Sequence, residues 1–339
     1  MARTGVRSWT LAWMTALTAL AGCHSVTEYT DSGDFGVVVL NASDLSVGGY
    51  VAGMDGARTV VSMGDSALLV GCSNGMVHTV NSEGLFIASS EYVTAGTGGG
   101  LDCFMKSPVR SSLYAITESG RIVEFSSADF SLLDEFAAGP SPSSMCRSPS
   151  GVGRIYIADD QQGVVREINA LTNQEYGSYN VGACPMAVAP NCADPPMLVT
   201  VHGQDTGIYS IRLDWSSVNW LRDRGTLCDV ASLSTDSIFC ALEPAWDEES
   251  GAMLLCEGGW LSPIEVYSCE VDGHPTAVCC SPDPQLPYFY AACASGDETL
   301  VVALNYQSRE VEMTTLIDGY PYDITTHRNG EKIIVLTAL

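Results

Sequence analysis

The sequence predicts an all-β fold: a seven-bladed β-propeller with four-stranded antiparallel blades, its ring closed by a blade shared between the N- and C-terminal segments. Two observations carry this prediction. A unit of about 45 residues recurs from residue 56 onward, each copy holding four short apolar strands separated by Gly, Pro, Asp and Ser turns. The flanking segments 35–53 and 320–339 are complementary halves of that same unit.

Each unit opens after a glycine, often with proline close behind: Gly139-Pro-Ser-Pro142, Gly182-Ala-Cys-Pro185, Gly273-His-Pro275 and Gly319-Tyr-Pro321. A short first strand follows, as in PSSMCRSP, PMAVAPNC and PTAVCCSP. A stronger apolar second strand closes on a polar-glycine turn: SALLVGCSNG (66–75), SSLYAITESG (111–120), RIYIADDQQG (154–163) and PYFYAACASG (287–296). Third strands read RIVEFSS, GVVREIN, GIYSIRLD and TLVVALN. Fourth strands, such as EVEMTTLIDG, end in the next glycine. One such sheet cannot cover both of its own faces. Stacking against neighbours covers them, and a closed ring leaves no blade at an open end.

The segment YPYDITTHRNGEKIIVLTAL (320–339) contains first and second strands, while FGVVVLNASDLSVGGYVAG (35–53) contains third and fourth strands. Joined, they complete a blade that ties the ring without a free edge. The other six blades fall near 56–97, 98–139, 140–182, 183–223, 224–273 and 274–319. The sixth fits two registers. In the first, CDVASLSTD and SIFCALEP are strands one and two; in the second, AMLLCEGG takes the place of strand two. The ending IEVYSCEVDG favours the first.

Ahead of the ring, Arg3 and Arg7 precede an uncharged apolar run of about a dozen residues, too short to span a bilayer of roughly 20 helical residues. Leu20-Ala21-Gly22-Cys23 resembles the lipobox of bacterial lipoproteins. The resemblance implies cleavage before Cys23, acylation of its thiol and new amino group, and, with His24 in place of aspartate, an outer-membrane address where the cell has one. The expected organisation is a signal peptide at 1–22, a lipidated cysteine and tether at 23–35, and a propeller at 36–339. Several acyl chains make a stable anchor where one would be marginal. The repeat resembles the YVTN-type seven-bladed propellers of bacteria and archaea, with RIYIADD and SLYAITESG matching the Tyr-Val-Thr-Asn strand. That resemblance implies an extracytoplasmic binding scaffold and brings no catalytic motif.

The chain has 15 basic and 40 acidic residues, a formal charge of −25 that becomes −27 once residues 1–22 are removed. Such a surface argues against nucleic acid or anionic headgroups as partners. Thirteen cysteines, one of them Cys23, leave an even twelve in an oxidising compartment, which reads as disulfides. Cys240 and Cys256 are symmetric about PAWDEESG, and Cys293 is symmetric with Cys279 or Cys280 about DPQLP. Directly opposed strand residues would allow bridges. A redox role for the vicinal Cys279-Cys280 is the weaker alternative.

Turns after second strands share a face with the entries to first strands. They hold Glu118, Asp159, Asp160, Asp205, Asp247-Glu248-Glu249, Asp297 and Glu298, with His202 and Trp246 among them. One reading is an electronegative face that concentrates cations, calcium included, or steers a basic ligand. The blander reading is that solvated turns favour Asp and Glu in any acidic protein. No calcium loop, Gly-x-Ser-x-Gly elbow, His-Glu-x-x-His helix or Walker loop is present. The sequence therefore points to a non-enzymatic binding or assembly module, held to a membrane by its anchor and facing an envelope protein or surface ligand. The alternative is a lactonase-like, metal-assisted hydrolase with carboxylates converging on the channel.

Overall fold

A computed structural model describes residues 34–93, 100–148, 153–182, 184–191, 197–203, 207–213, 217–222, 226–233, 238–244, 250–258 and 265–339. Cys23, Asp205, Trp246 and the 247–249 acids lie outside the described residues.

The chain enters through β1 (Phe35–Asn41) and β2 (Val47–Ala52). Blade two is β3 (Ala57–Ser62), β4 (Ala67–Cys72), β5 (Met76–Asn81) and β6 (Phe86–Tyr92). Blade three is β7 (Leu101–Lys106), β8 (Ser112–Thr117), β9 (Arg121–Ser126) and β10 (Leu132–Ala137). Blade four is β11 (Pro142–Arg147), β12 (Arg154–Asp159), β13 (Val164–Asn169) and β14 (Gln174–Asn180). Blade five is β15 (Pro185–Asn191), β16 (Met197–His202), β17 (Ile208–Arg212) and β18 (Ser217–Arg222). Blade six is β19 (Asp229–Ser232), β20 (Ile238–Glu243), β21 (Ser250–Glu257) and β22 (Glu265–Asp272), the first of the two registers. Blade seven is β23 (His274–Cys280), β24 (Tyr288–Ser295), β25 (Glu298–Asn305) and β26 (Glu310–Asp318). The last strands, β27 (Tyr320–Thr326) and β28 (Lys332–Ala338), return to the start. Blade one is ordered β2-β1-β28-β27, and its seam runs from Phe35 opposite Ala338 to Asn41 opposite Lys332. Closure is as the two half-units predict.

The seven apolar clusters each draw on two neighbouring blades, one cluster per blade junction. Second strands are covered on both faces, so β8 is buried along its whole length. Fourth strands stand at the rim, and β6 and β10 are mostly exposed. That gradient explains why second strands give the strongest sequence signal.

The recurring glycines have a conformational cause. Those before first strands, Gly139, Gly182, Gly273 and Gly319, have φ of 115°, 86°, 83° and 93°, where an L side chain is strained. At Gly139 a methyl would also overlap Asp159 Oδ2. Among the described residues, five turns between third and fourth strands use the left-handed region without glycine, at Leu45, Leu85, Phe130, Asn173 and Arg309. Each sits four residues after an Asn or Ser, and several reach the preceding blade. Leu45 joins the blade-seven cluster, Phe130 packs with blade two, and Arg309 pairs with Glu257 of blade six at 3.0 Å. The apolar contact or ion pair offsets the backbone strain.

The cysteine registers differ from expectation. Cys240 lies opposite Leu255, and Cys256 opposite Phe239. The hairpin is centred half a residue from its apparent symmetry point, and that offset puts the two thiols on opposite faces. Cys240 packs toward blade seven and Cys256 toward blade five. Cys293 lies opposite Pro275, while Cys279 and Cys280 face Tyr290 and Phe289. The five thiols are free in the structure. Burial pushes the Cys280 thiol up to about 11 and Cys279 well above its ordinary value, which suppresses the thiolate a redox pair needs.

Deleting residues 320–339 removes Ile324, Ile333, Ile334, Val335 and Leu336, all buried between blades. At about 2 kcal/mol per buried aliphatic side chain the loss is about 10 kcal/mol, comparable with the whole stability of a typical domain. Soluble folded protein should not be recovered, and a truncated chain with native thermal melting would refute the closure.

Candidate functional site

The first strands line the centre of the ring, and their backbones set a problem. Each inner strand presents N–H groups toward the preceding blade where no ladder partner is available, and buried donors need acceptors. The solution lies at one register position of the first strands, the same in all seven blades when they are aligned on their second strands. The seven residues there are Thr59, Cys103, Ser144, Ala187, Asp229, Ala277 and Asp323. Ser144 Oγ accepts from Val188 N–H of blade five at 3.4 Å, and the Met145 N–H of blade four faces the Cys103 sulfur. Asp229 Oδ2 accepts from Val278 N–H of blade seven at 2.9 Å. Asp323 Oδ2 accepts from Val60 N–H at 2.8 Å and from Thr59 Oγ1 at 2.9 Å, both in blade two.

Ala187 and Ala277 have no acceptor to offer. The donors they leave behind, Val230 N–H and Ile324 N–H, turn instead to Asp229 Oδ1 and Asp323 Oδ1 in their own strands, each at 2.8 Å. Each aspartate thus serves one backbone donor that an alanine abandons and one backbone donor in the following blade. These two carboxylates were not singled out from the sequence. The signal was there in the alternation Ala, Asp, Ala, Asp at one aligned position of four successive blades.

Engagement of both oxygens comes with desolvation. Burial raises the Asp229 carboxyl to about 7, aided by repulsion from Asp323, and raises Asp323 to about 6. The backbone hydrogen bonds oppose the shift in both cases. Among the described residues no group of three or more His, Cys, Asp or Glu is placed to hold a metal ion.

The acidic turns do share one face. Glu118 N–H bonds Gly100 O and Asp160 N–H bonds Ser141 O, each at 3.0 Å, tying second-strand turns to first-strand entries. Glu118, Asp297 and Glu298 are exposed there. Asp159 and Asp160 are not: they are 0% and 8% exposed, which corrects their assignment to a ligand-facing surface. Asp159 is the last residue of β12, still inside the wedge between blades. Its Oδ1 accepts from Gln162 N–H at 3.1 Å and its Oδ2 lies 3.6 Å from Arg166 Nη2. His202 is likewise interior, 3.0 Å from Thr200 Oγ1 and packed on the Tyr209 ring.

Other inter-blade contacts are polar and buried. His327 Nδ1 is 2.9 Å from Gly64 O, and its Nε2 is 2.7 Å from Ser82 Oγ, joining blade one to blade two. A carbonyl accepts only, so Nδ1 donates to Gly64 O, and the Ser82 hydroxyl also donates to Ser66 O at 3.1 Å. In blade three, Glu124 is held by Arg110 at 3.1 Å, Ser112 at 2.6 Å and blade four's Asn173 at 2.6 Å.

No family model and no curated protein matches the sequence. Solved structures do resemble the fold. A Kuenenia stuttgartiensis hydrazine synthase chain superposes with a TM-score of 0.67 at 14% identity, covering 84% of this chain and 96% of the other. The RRP9 WD40 repeats give 0.63 at 11%, covering 84% and 94%. The Neurospora crassa Pan2 WD40 domain gives 0.61 at 12%, covering 83% and 89%. At these identities the likeness establishes the propeller fold.

The inner aspartates make the pH dependence of stability testable. Both folded-state values lie above the ordinary 3.8, so the native state binds more protons than the unfolded chain between about pH 4 and 7. Their contribution is therefore most favourable at the acidic end and is lost as pH rises through about 6 to 7. Thermal midpoints should rise as pH falls from 8 to 5, and Asp229→Asn with Asp323→Asn should flatten that slope. Asp229→Ala strands two buried donors and should cost roughly 2–6 kcal/mol by denaturant titration.

Proposed function

We propose that this chain is a lipid-anchored, extracytoplasmic propeller of the cell envelope, of the YVTN-like kind, acting as a non-enzymatic binding or assembly module. The observation that carries the reading is the engagement of the inner carboxylates. Asp229 and Asp323 each give both oxygens to backbone N–H groups of two strands. A hydrolase of the lactonase kind needs channel carboxylates with free lone pairs for a divalent cation and its bound water. The closure of the ring, the exposed acids on one face and the likeness to WD40 propellers support a rigid scaffold that presents surfaces. The Leu20-Ala21-Gly22-Cys23 motif supports the membrane address, and a divalent cation on the exposed acids remains part of the proposal.

Two measurements test it. Cys23→Ser should move the protein from the detergent phase to the aqueous phase or block its processing; unchanged partitioning would refute the anchor. Calorimetric titration with calcium, magnesium and zinc should show no tight site dependent on Asp229 or Asp323. A single micromolar-or-tighter site lost in Asp229→Asn would favour the hydrolase.

A further inference from the structure

At the rim, the outermost strands of blade seven and blade one, β26 and β2, enclose a cavity of about 340 Å³. Val38, Val47, Tyr50, Leu316 and Leu339 line it, with Asp318 also in its wall. Val47 is 57% exposed and Leu316 53% exposed, so apolar surface is held open to water at a concave site. The Tyr50 hydroxyl lies over Gly36, shielded from solvent and without a hydrogen-bond partner.

The charge around the cavity has one sign. Asp34 stands close enough to Tyr50 to add to the rise of its phenol above the ordinary value, which burial begins. Asp318 is directly opposite Glu298 on adjacent strands, an arrangement of like charges that is unfavourable by itself. Asp297 is next to them, its carbonyl accepting from Gly319 N–H at 3.1 Å. All four side chains are exposed, and none is in an ion pair among the described residues. Both β2 and β26 end their sheets, so each keeps a row of backbone groups that an extended peptide can pair with.

We propose that this cavity docks a peptide segment of a partner protein: an aliphatic side chain seated between Val47 and Leu316, and an adjacent lysine or arginine over the Asp34, Glu298 and Asp318 carboxylates. The inference rests on the binding-module reading and names its surface and the chemistry of its partner.

Methyl-detected NMR of the protein with two blocked tripeptides, leucyl-lysyl-lysine and leucyl-glutamyl-glutamate, tests it. The lysine peptide should shift the methyls of Val38, Val47, Leu316 and Leu339 and bind about fivefold more tightly than the glutamate peptide, the ratio a well-placed exposed ion pair supplies. Leu316→Lys, at an exposed position, should abolish the shifts while leaving the melting temperature unchanged, and Asp318→Lys should weaken binding by about fivefold. Equal binding of the two peptides, shifts elsewhere on the ring, or wild-type binding by Leu316→Lys would overturn the assignment. If an envelope protein is retained equally by wild type and Leu316→Lys, the cavity is not the docking site although the binding-module reading stands.

Discussion

The inner apolar faces of each blade are covered by faces of its neighbours, and the rest of the structure depends on that reciprocity. A four-stranded sheet with Val, Ile and Leu on both sides gains from burial roughly in proportion to the area it hides. Alone, it hides little. Because each of the seven clusters is shared by two blades, removing any blade would expose two clusters. The seam from Phe35–Ala338 to Asn41–Lys332 therefore matters more than its length suggests. It is the place where a complete blade depends on pairing between residues 291 to 303 apart in sequence (332 − 41 and 338 − 35).

Packing blades around an axis also creates a polar problem that apolar burial cannot solve. The inner strands converge, and their N–H groups face neighbours across a gap too wide for a continuous ladder. Side chains at one position close the gap, and their identities trade off. Where alanine takes the position, the next blade carries aspartate; where serine takes it, one acceptor suffices. Raised carboxyl values at Asp229 and Asp323 follow from this arrangement. Perturbed acids in a channel invite a catalytic reading, but here the hydrogen-bond geometry gives a structural reason for them.

Much of the fold was legible from residues with a single physical role. Gly139, Gly182, Gly273 and Gly319 marked blade starts because the backbone there is left-handed. RIYIAD and SLYAIT marked second strands because both their faces are buried. The complementary halves at 35–53 and 320–339 revealed closure. What failed depended on offsets of one or two residues. Symmetry about PAWDEESG and DPQLP located the hairpins but not their centres, and at PAWDEESG a half-residue error reverses which face a cysteine meets. Asp159 read as a turn acid because composition does not show which of two adjacent aspartates is the last one inside the strand. The left-handed Leu45, Phe130 and Arg309 broke the rule that such positions take glycine, so the turns that lock blades together were read only as polar punctuation.

The distribution of charge then separates two populations of acid. Among the described residues, five arginines are committed to ion pairs within the ring: Arg110 to Glu124, Arg121 to Glu135, Arg154 to Glu167, Arg166 to Asp159 and Glu175, and Arg309 to Glu257. Their positive charge neutralises interior and inter-strand carboxylates. A formal charge of −25 is consequently expressed by the carboxylates left over, Glu118, Asp297, Glu298 and Asp318 among them. Electrostatic attraction from such a surface reaches about 8 Å at physiological salt, enough to orient an approaching basic segment but too weak to hold it. Lasting affinity has to come from desolvated apolar contact, and at the junction of blades seven and one the fold places such contact directly beside the unneutralised acids.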